Sequence, residues 1–205
     1  MQEFYEFVAD RRSIRKFLNT PITTEQLRRI MTASGWAPSA HNAQPWRFFI
    51  LQAIEEKTRL AKTMAAVFRK DLEADGEEAI IIEDLVQASI ERFSSAPVLI
   101  LACLTMIPMD TYPDEKRRQA EFTMAVQSVA ASIQMILLAA HAEGLAGCWF
   151  CAPLFCPETV RQALELSNEL WPQALIILGE AAENPDPPSR QPLEEFVTFI
   201  GEKEV

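Results

Sequence analysis

The sequence lacks the short motifs that mark the common nucleotide-binding and hydrolytic folds. No G-x-G-x-x-G follows a predicted strand and no G-x-x-x-x-G-K-[ST] loop occurs, which excludes a Rossmann fingerprint and a Walker loop. No G-x-S-x-G elbow is present, which excludes the usual α/β-hydrolase nucleophile. The chain has two histidines and no second C-x-x-C to complete a four-cysteine zinc site. We therefore expect no metal site.

An excess of positive charge is also missing, because the formal net charge is -10. This argues against a general nucleic-acid or anionic-membrane surface, since both kinds of binding rely on positive fields. It leaves room for a local basic pocket. No apolar run is long enough to span a bilayer, since the richest stretch, residues 119–142, contains several polar side chains (Glu121, Gln127, Gln134 and His141). The start, MQEFYEFVADRR, is not a signal peptide, and we expect a cytoplasmic protein.

Composition and patterning predict one globular domain over residues 1–205. Of the 205 residues, 49% are hydrophobic and 23% are charged, and no repeat or linker divides the chain. Periodicity predicts helices at 3–9, 24–35, 55–73, 82–94 and 116–143, then at PETVRQALEL, and strands at 47–52, VLILACL, GCWFC and QALIILGE. This irregular alternation indicates an α+β or α/β layered sandwich around a central sheet. The final EEFVTFI is a candidate arm that would add to a partner.

The stretch RRSIR concentrates basic side chains near the N-terminus. Arg11, Arg12 and Arg15, with the hydroxyl of Ser13, form a group that is suited to grip phosphate through charge-assisted bonds. The alternative is a solvated basic loop that pairs with nearby carboxylates, and taken alone the pattern favours that alternative.

The stretch APSAHNAQPW concentrates neutral hydrogen-bonding groups between two prolines. Ser39, Asn42 and Gln44 offer donors and acceptors that suit a flat polar ring or a polyol. The alternative is a turn capped by Ser39 and Asn42, with Trp46 in the core, and the residues alone leave the two interpretations balanced. His41 fits a hydrogen-bonded structural role better than that of a base.

Two further features have ordinary explanations. Cys148 and Cys151 form a C-x-x-C, but bulky apolar residues separate them in a predicted strand. A redox pair would favour a helix N-terminus, which lowers a thiol pKa, so we interpret both as buried structural cysteines. Arg190, alone in an acidic, Pro-rich tail, is either a surface residue or a distant part of a phosphate site.

Taken together and in order, these pieces resemble the nitroreductase family of flavoproteins over nearly the whole chain. Four pieces carry the resemblance: RRSIRKF, APSAHNAQPW leading into FFIL, a long helix ending in GLAGCWF, and ALIILGE followed by PPSRQPLEE. It implies a nitroreductase-like three-layer α/β/α sandwich with a central mixed sheet. It also implies an intertwined homodimer with FMN in the subunit interface.

The resemblance assigns roles to individual residues. Arg11 and Arg190 would hold the FMN phosphate, Arg12 and Ser13 would contact the phosphate–ribityl side and the flavin edge, and Arg15 would lie towards N1–O2. The partner subunit would contribute four residues, namely Pro38, Ser39, Ala40 and Asn42. Cys151 and Ala152 would present backbone to N5. One further contact is assigned only to a set of candidates: Lys62, Arg69 and Lys70.

The activity implied by the resemblance is a ping-pong cycle. NADH or NADPH would leave hydride on flavin N5 and depart, and a small nitro compound, quinone or enone would then take it up. No catalytic side chain is assigned. The segments TYPDEKRRQAEFTMAVQSVAASIQ and GLAGCWFCAPLFCPE are also similar to the flavin domain fused to the γ-glutamyl ligase of deazaflavin-coenzyme biosynthesis. Reduction of a precursor of that coenzyme is therefore an alternative, as are a non-catalytic flavin-binding module and a thiol-redox protein.

Overall fold

The computed structural model describes residues 2–201, which form six α-helices and four β-strands. In chain order the elements are α1 (Gln2–Asp10), α2 (Thr24–Ser34), β1 (Trp46–Leu51), α3 (Ile54–Ala74), α4 (Ala79–Ser95), β2 (Val98–Thr105), α5 (Glu115–Ala142), β3 (Ala146–Phe150), α6 (Pro157–Ala163) and β4 (Leu170–Gly179). Short 3₁₀ helices occupy Ala40–Asn42, Ala152–Phe155 and Leu193–Glu195.

The sheet lies between two helical layers, as predicted. All eight residues of β2 are buried, and successive side chains point to opposite faces of the sheet. Ile100 and Leu104 face a core that includes residues of α2 and α5. Leu99 and Leu101 face a second core that includes residues of α3 and α6. The continuous apolar run VLILACL therefore belongs to a strand that is covered on both sides.

The prediction of a mixed sheet is wrong for the described residues. The strand order is β1-β2-β4-β3, and all three neighbouring pairs are antiparallel. β2 and β3 run parallel to each other because α5 carries the chain back between them, but β4 lies between the two strands. Among residues 2–201, the one parallel contact near this sheet is an isolated bridge between Ser13 and Gly147.

Local signals set most element boundaries. Thr23 caps α2 through a capping box with Gln26, as the predicted cap at Thr23 or Thr24 requires. α4 begins at Ala79, three residues before the predicted start at 82. β3 ends at Phe150, so Cys151 lies outside the strand, because the following 3₁₀ helix contains Pro153.

α5 is the central helix of the molecule. Within residues 2–201, it is the one helix that is long and apolar enough to cross a membrane by length and composition. Val129, Ile133 and Ile136 are almost completely buried in the core that α5 shares with α2 and the sheet. This is the position of a core helix.

Candidate functional site

The RRSIR segment is fastened to the edge of the sheet along β3. Ser13 bridges Gly147, and the backbone N–H of Ile14 donates a 3.2 Å hydrogen bond to the carbonyl oxygen of Gly147. A Cβ atom on Gly147 would lie 2.8 Å from the carbonyl oxygen of Ile177, so the strands approach too closely for a side chain. The loop is thus held by backbone contacts, and its side chains are left available for other contacts.

A cleft of about 240 Å³ opens beside this loop. Arg11 and Arg12 line it, together with His141 at the end of α5 and Asn184 after β4. Arg12 turns back on its own backbone and donates to the carbonyl oxygens of Ala9 and Arg11. The ion pairs found among residues 2–201 do not include Arg11, Arg12 or Arg15. The guanidinium groups of the RRSIR loop are therefore not paired with carboxylates among residues 2–201.

The same loop reaches the end of β3. The guanidinium carbon of Arg15 lies 6.0 Å from the ring centroid of Phe150, directly before Cys151 and Ala152. The backbone N–H groups of Arg15 and Lys16 donate to Oε1 of Glu183 at 2.9 and 3.2 Å. The structure thus brings the predicted Arg11–Arg15 and Cys151–Ala152 segments to one edge of the sheet.

The two cysteines of the C-x-x-C lie in different environments. All four cysteines are free, and Cys148 is buried, which raises the pKa of its thiol; nearby Arg15 and Ser13 oppose the shift more weakly. Burial likewise raises the pKa of the Cys103 thiol to about 12. The prediction of a buried structural cysteine is confirmed for Cys148. It is wrong for Cys151, which is exposed because the strand has already ended.

The APSAHNAQPW segment forms a strained turn. His41, Asn42 and Gln44 have φ values of 55°, 53° and 48°, in the left-handed region that non-glycine residues seldom occupy. The backbone N–H of Gln44 donates to Oγ of Ser39 at 3.0 Å, and the Gln44 side chain donates to Oδ1 of Asn42 at 3.3 Å. Trp46 is buried in the core, as the structural interpretation predicted. Such strain is concentrated at functional sites in proteins.

The turn is anchored to α5. The backbone N–H of Ala40 donates to Oγ of Ser128 at 3.2 Å. Nε2 of His41 lies 3.3 Å from Oε1 of Glu121 and 3.9 Å from Oδ2 of Asp110. His41 therefore has the predicted hydrogen-bonded role. Sequence reasoning missed its partners, although a glutamate within a largely apolar helix is a signal that could have indicated Glu121.

The two segments lie at opposite edges of the sheet. Gly147 is aligned with Leu178 and Val98, whereas Trp46 is aligned with Leu104. The segments are roughly 20–25 Å apart, because they are separated by three strand spacings across the sheet and by the rise from Val98 to Leu104 along β2. One chain cannot present both segments to one small ligand.

The remaining predicted side chains lie elsewhere. Arg190 is exposed in the tail and is not among the residues that line the Arg11 cleft. Arg69 pairs with Glu83 at 2.6 Å and so connects α3 to α4. Lys62 and Lys70 are exposed on α3, and Pro38 is exposed before the strained turn.

A larger groove of about 730 Å³ lies between α3 and α4 and ends at Cys151 and Ala152. Its walls are mainly apolar, with Phe68 and Phe93 among the lining residues. The guanidinium carbon of Arg92 lies 5.4 Å from the Phe150 ring centroid. Sequence reasoning missed this groove, because it depends on how two separate helices pack.

Comparison with known proteins gives these features a context. A family model described as Nitroreductase family matches residues 8–180, which include both the RRSIR loop and the strained turn. The chain belongs to the nitroreductase family. The family resemblance predicted from the motifs is confirmed, whereas the narrower likeness to the domain fused to the deazaflavin ligase is not shown.

Individual members of the nitroreductase family are similar over most of their length. The chain is 30% identical to an NADH dehydrogenase from Thermus thermophilus, with 92% of each chain covered. It is 28% identical to nitrobenzene nitroreductase from Ectopseudomonas oleovorans, with 96% of each covered. A crystal structure from Desulfovibrio desulfuricans, of a protein assigned as a nitroreductase and in complex with FMN, aligns with a TM-score of 0.72 and 26% identity. That alignment covers 98% of this chain and 96% of the other.

Proposed function

We propose that this protein is an FMN-dependent oxidoreductase that passes hydride from NADH or NADPH to a small acceptor. FMN would lie in the interface of a homodimer. Family membership supports this proposal, as do the FMN complex of the Desulfovibrio structure and the relatives named nitrobenzene nitroreductase and NADH dehydrogenase.

The observation that carries the proposal is the cleft at the β3 edge, which Arg11 and Arg12 line together with Asp10 and Glu183. Arg11 lines it without an ion-pair partner among residues 2–201, in a chain whose net charge is -10. A dianionic phosphate is the kind of group that stabilises such a site, because guanidinium–phosphate bonds are charge-assisted. The unpaired guanidinium group of Arg11 therefore fits the phosphate of FMN.

The separation of the two segments supports a dimeric site. The strained turn carries Ser39 and Asn42 at the opposite edge of the sheet from Arg11, roughly 20–25 Å away. A two-fold axis that placed the turn of one subunit against the loop of its partner would create two equivalent, complete sites. The tail Leu193–Ile200, with Phe196, Phe199 and Ile200 exposed, is a candidate arm across that interface.

Bound FMN would supply the redox chemistry by taking hydride at N5 from the nicotinamide and releasing it to the acceptor after the nicotinamide departs. The protein's own groups would bind and orient. Arg11 would neutralise the phosphate, and Arg15 would place positive charge near the N1–O2 edge. Backbone at Cys151 and Ala152 would face N5, while Ser39 and Asn42 of the partner subunit would bond the polar flavin edge. No protein acid or base is assigned.

The groove beside Cys151 and Ala152 is the proposed space for the nicotinamide and the acceptor. Its volume of about 730 Å³ and its apolar walls are typical of small-molecule sites. A planar nitro compound, quinone or enone suits those walls. A deazaflavin-coenzyme precursor is a second candidate acceptor, and we include it in the test.

Anaerobic reduction of the purified protein tests the proposal. We expect a yellow protein that releases FMN on denaturation, is bleached by NADH or NADPH, and is reoxidised by members of an acceptor panel that includes deazaflavin precursors. A colourless protein that does not take up added FMN would overturn the proposal. Bound FMN without turnover for any donor would indicate a non-catalytic flavin-binding module.

A further inference from the structure

A buried carboxylate lies beneath the strained turn. Glu121 on α5 is 2% exposed, and its Oε2 atom has no hydrogen-bond partner among the described residues. Its one ion-pair contact in residues 2–201 is with Nε2 of His41, at 3.3 Å. A buried carboxylate without a compensating positive charge is strongly unfavourable. The unpartnered Oε2 atom is therefore a buried acceptor that is available to a cation.

Two further groups converge on this carboxylate from different parts of the chain. His41 comes from the turn before β1, and Asp110 comes from the segment after β2, with its Oδ2 3.9 Å from Nε2 of His41. One potential ligand atom from each of the three side chains lies within 4.8 Å of the others. The arginine beside them, Arg118, donates instead to the carbonyl oxygens of Tyr112 and Pro113 and to Glu115.

We propose that His41, Asp110 and Glu121 bind a divalent first-row transition cation such as Mn²⁺ or Zn²⁺. One imidazole nitrogen and two carboxylate oxygens form a mixed donor set, whereas Mg²⁺ and Ca²⁺ favour oxygen alone. Ligands at about 2.0–2.2 Å from a tetrahedral metal lie about 3.4 Å apart. Nε2 of His41 lies 3.3 Å from Oε1 of Glu121 and 3.9 Å from Oδ2 of Asp110, and both distances are close to that value. Rotation of the exposed Asp110 side chain can shorten the longer distance.

The surroundings allow an ion to reach the site. Asp110 and Glu121 line a cleft of about 390 Å³ at the surface. Three protein ligands leave at least one coordination position for water, which is the arrangement of an open site and not of a closed structural one.

The cation would connect three chain segments: the strained turn, the segment after β2 and α5. If the turn forms half of the flavin site, as proposed above, cation binding at His41 and FMN binding beside Asn42 are coupled. Each ligand would then change the affinity of the other by the same factor. This consequence rests on the proposed function, whereas the cation site itself does not.

The test is a Mn²⁺ titration of the full-length protein after chelator treatment, at pH 7.5, with free Mn²⁺ followed by electron paramagnetic resonance. We expect saturable binding of one Mn²⁺ per chain, in competition with Zn²⁺. Asp110→Asn and Glu121→Gln should each weaken binding roughly tenfold or more, because even outer-shell partners of metal ligands are worth 10–100-fold. Glu115→Gln, an exposed carboxylate on the same cleft, is the matched control and should leave the affinity unchanged.

Two results would overturn the site. One is the absence of saturable one-equivalent binding, which would show that the buried carboxylate is accommodated without a metal ion. The other is equal Mn²⁺ affinity in wild type and both variants, which would place the ion elsewhere on the acidic surface. Asp110→Asn changes an exposed residue, so the test remains decisive if Glu121→Gln fails to fold. Titrations with and without FMN separate this proposal from the flavin proposal, since the protein can bind either ligand and fail to bind the other.

Discussion

The backbone N–H of Ile14 donates a 3.2 Å hydrogen bond to the carbonyl oxygen of Gly147, and this contact sets the position of the basic loop. Arg11, Arg12 and Arg15 surround this point, and the cleft that Arg11 lines opens beside it.

Arg11→Ala should weaken FMN binding by roughly 1.5–3 kcal/mol, because it removes a charge-assisted contact to phosphate. Quenching of FMN fluorescence on titration with protein measures the affinity. Arg28→Ala, at an exposed cation on α2, is the matched control and should bind FMN like the wild type. Equal affinity in the Arg11 variant would show that the phosphate binds elsewhere.

Mixed dimers should recover FMN sites of wild-type affinity, which neither parent variant has. Arg11→Ala damages the loop half, and Asn42→Gly removes a side chain from the turn half while glycine tolerates the φ of 53°. If each site combines two subunits, every heterodimer contains one intact site. Unfolding and refolding the two variants together should then restore about one quarter of the wild-type sites, as two-fold symmetry requires.

Equilibrium dialysis against FMN counts the recovered sites, and sedimentation confirms that the mixture is dimeric. Each variant refolded alone is the control. A monomer that retains FMN, or a mixture that recovers no sites, would contradict the shared-site arrangement.

Gly147→Ala should lower the free energy of unfolding by about 1–3 kcal/mol, because the added methyl group overpacks the contact between β3 and β4. A Cβ atom there would lie 2.6 Å from Cδ2 of Leu178 and 2.8 Å from the backbone oxygen of Ile177. Urea unfolding measures the change. Gly35→Ala is the control, since its φ of -68° suits alanine and its Cβ would lie 3.3 Å from its nearest neighbour, the backbone oxygen of Thr32, so it should lose less stability than Gly147→Ala.

The buried Cys103 thiol should make stability fall at alkaline pH. Burial raises the pKa of this thiol from its ordinary value of 9.0 to about 12. The unfolded chain therefore loses the thiol proton from about pH 9 upwards while the folded chain keeps it. The stability that this difference provides is complete below pH 9 and is lost as the pH rises towards 12.

Cys103→Ala isolates that contribution. The free energy of unfolding of the wild type should fall relative to the variant by up to about 1.4 kcal/mol per pH unit above pH 9. Urea unfolding at pH 8, 9, 10 and 10.5 measures the difference. Cys151→Ala, at an exposed thiol, is the matched control. A constant difference between wild type and Cys103→Ala would contradict the raised pKa.

Much of the fold could be read from local patterns. Apolar periodicity located the helices to within a few residues, and the unbroken run in β2 indicated a strand covered on both faces. The predicted end of β3 at Cys151 is one residue too late, because the pattern of GCWFC is that of a strand throughout. The strand ends at Phe150, before the 3₁₀ helix that contains Pro153. That shift decided whether Cys151 is buried or exposed.

The sequence by itself determined the family, the approximate elements and the two segments proposed to hold the cofactor, because capping, periodicity and short motifs depend on neighbouring residues. Only the tertiary structure decided that β4 lies between β2 and β3, which makes the sheet antiparallel and places the loop and the turn at opposite edges. It also brought together His41, Asp110 and Glu121, which come from three separate segments. Such tertiary contacts depend on strand order and on long-range packing, and neither can be read from the spacing of residues along the chain.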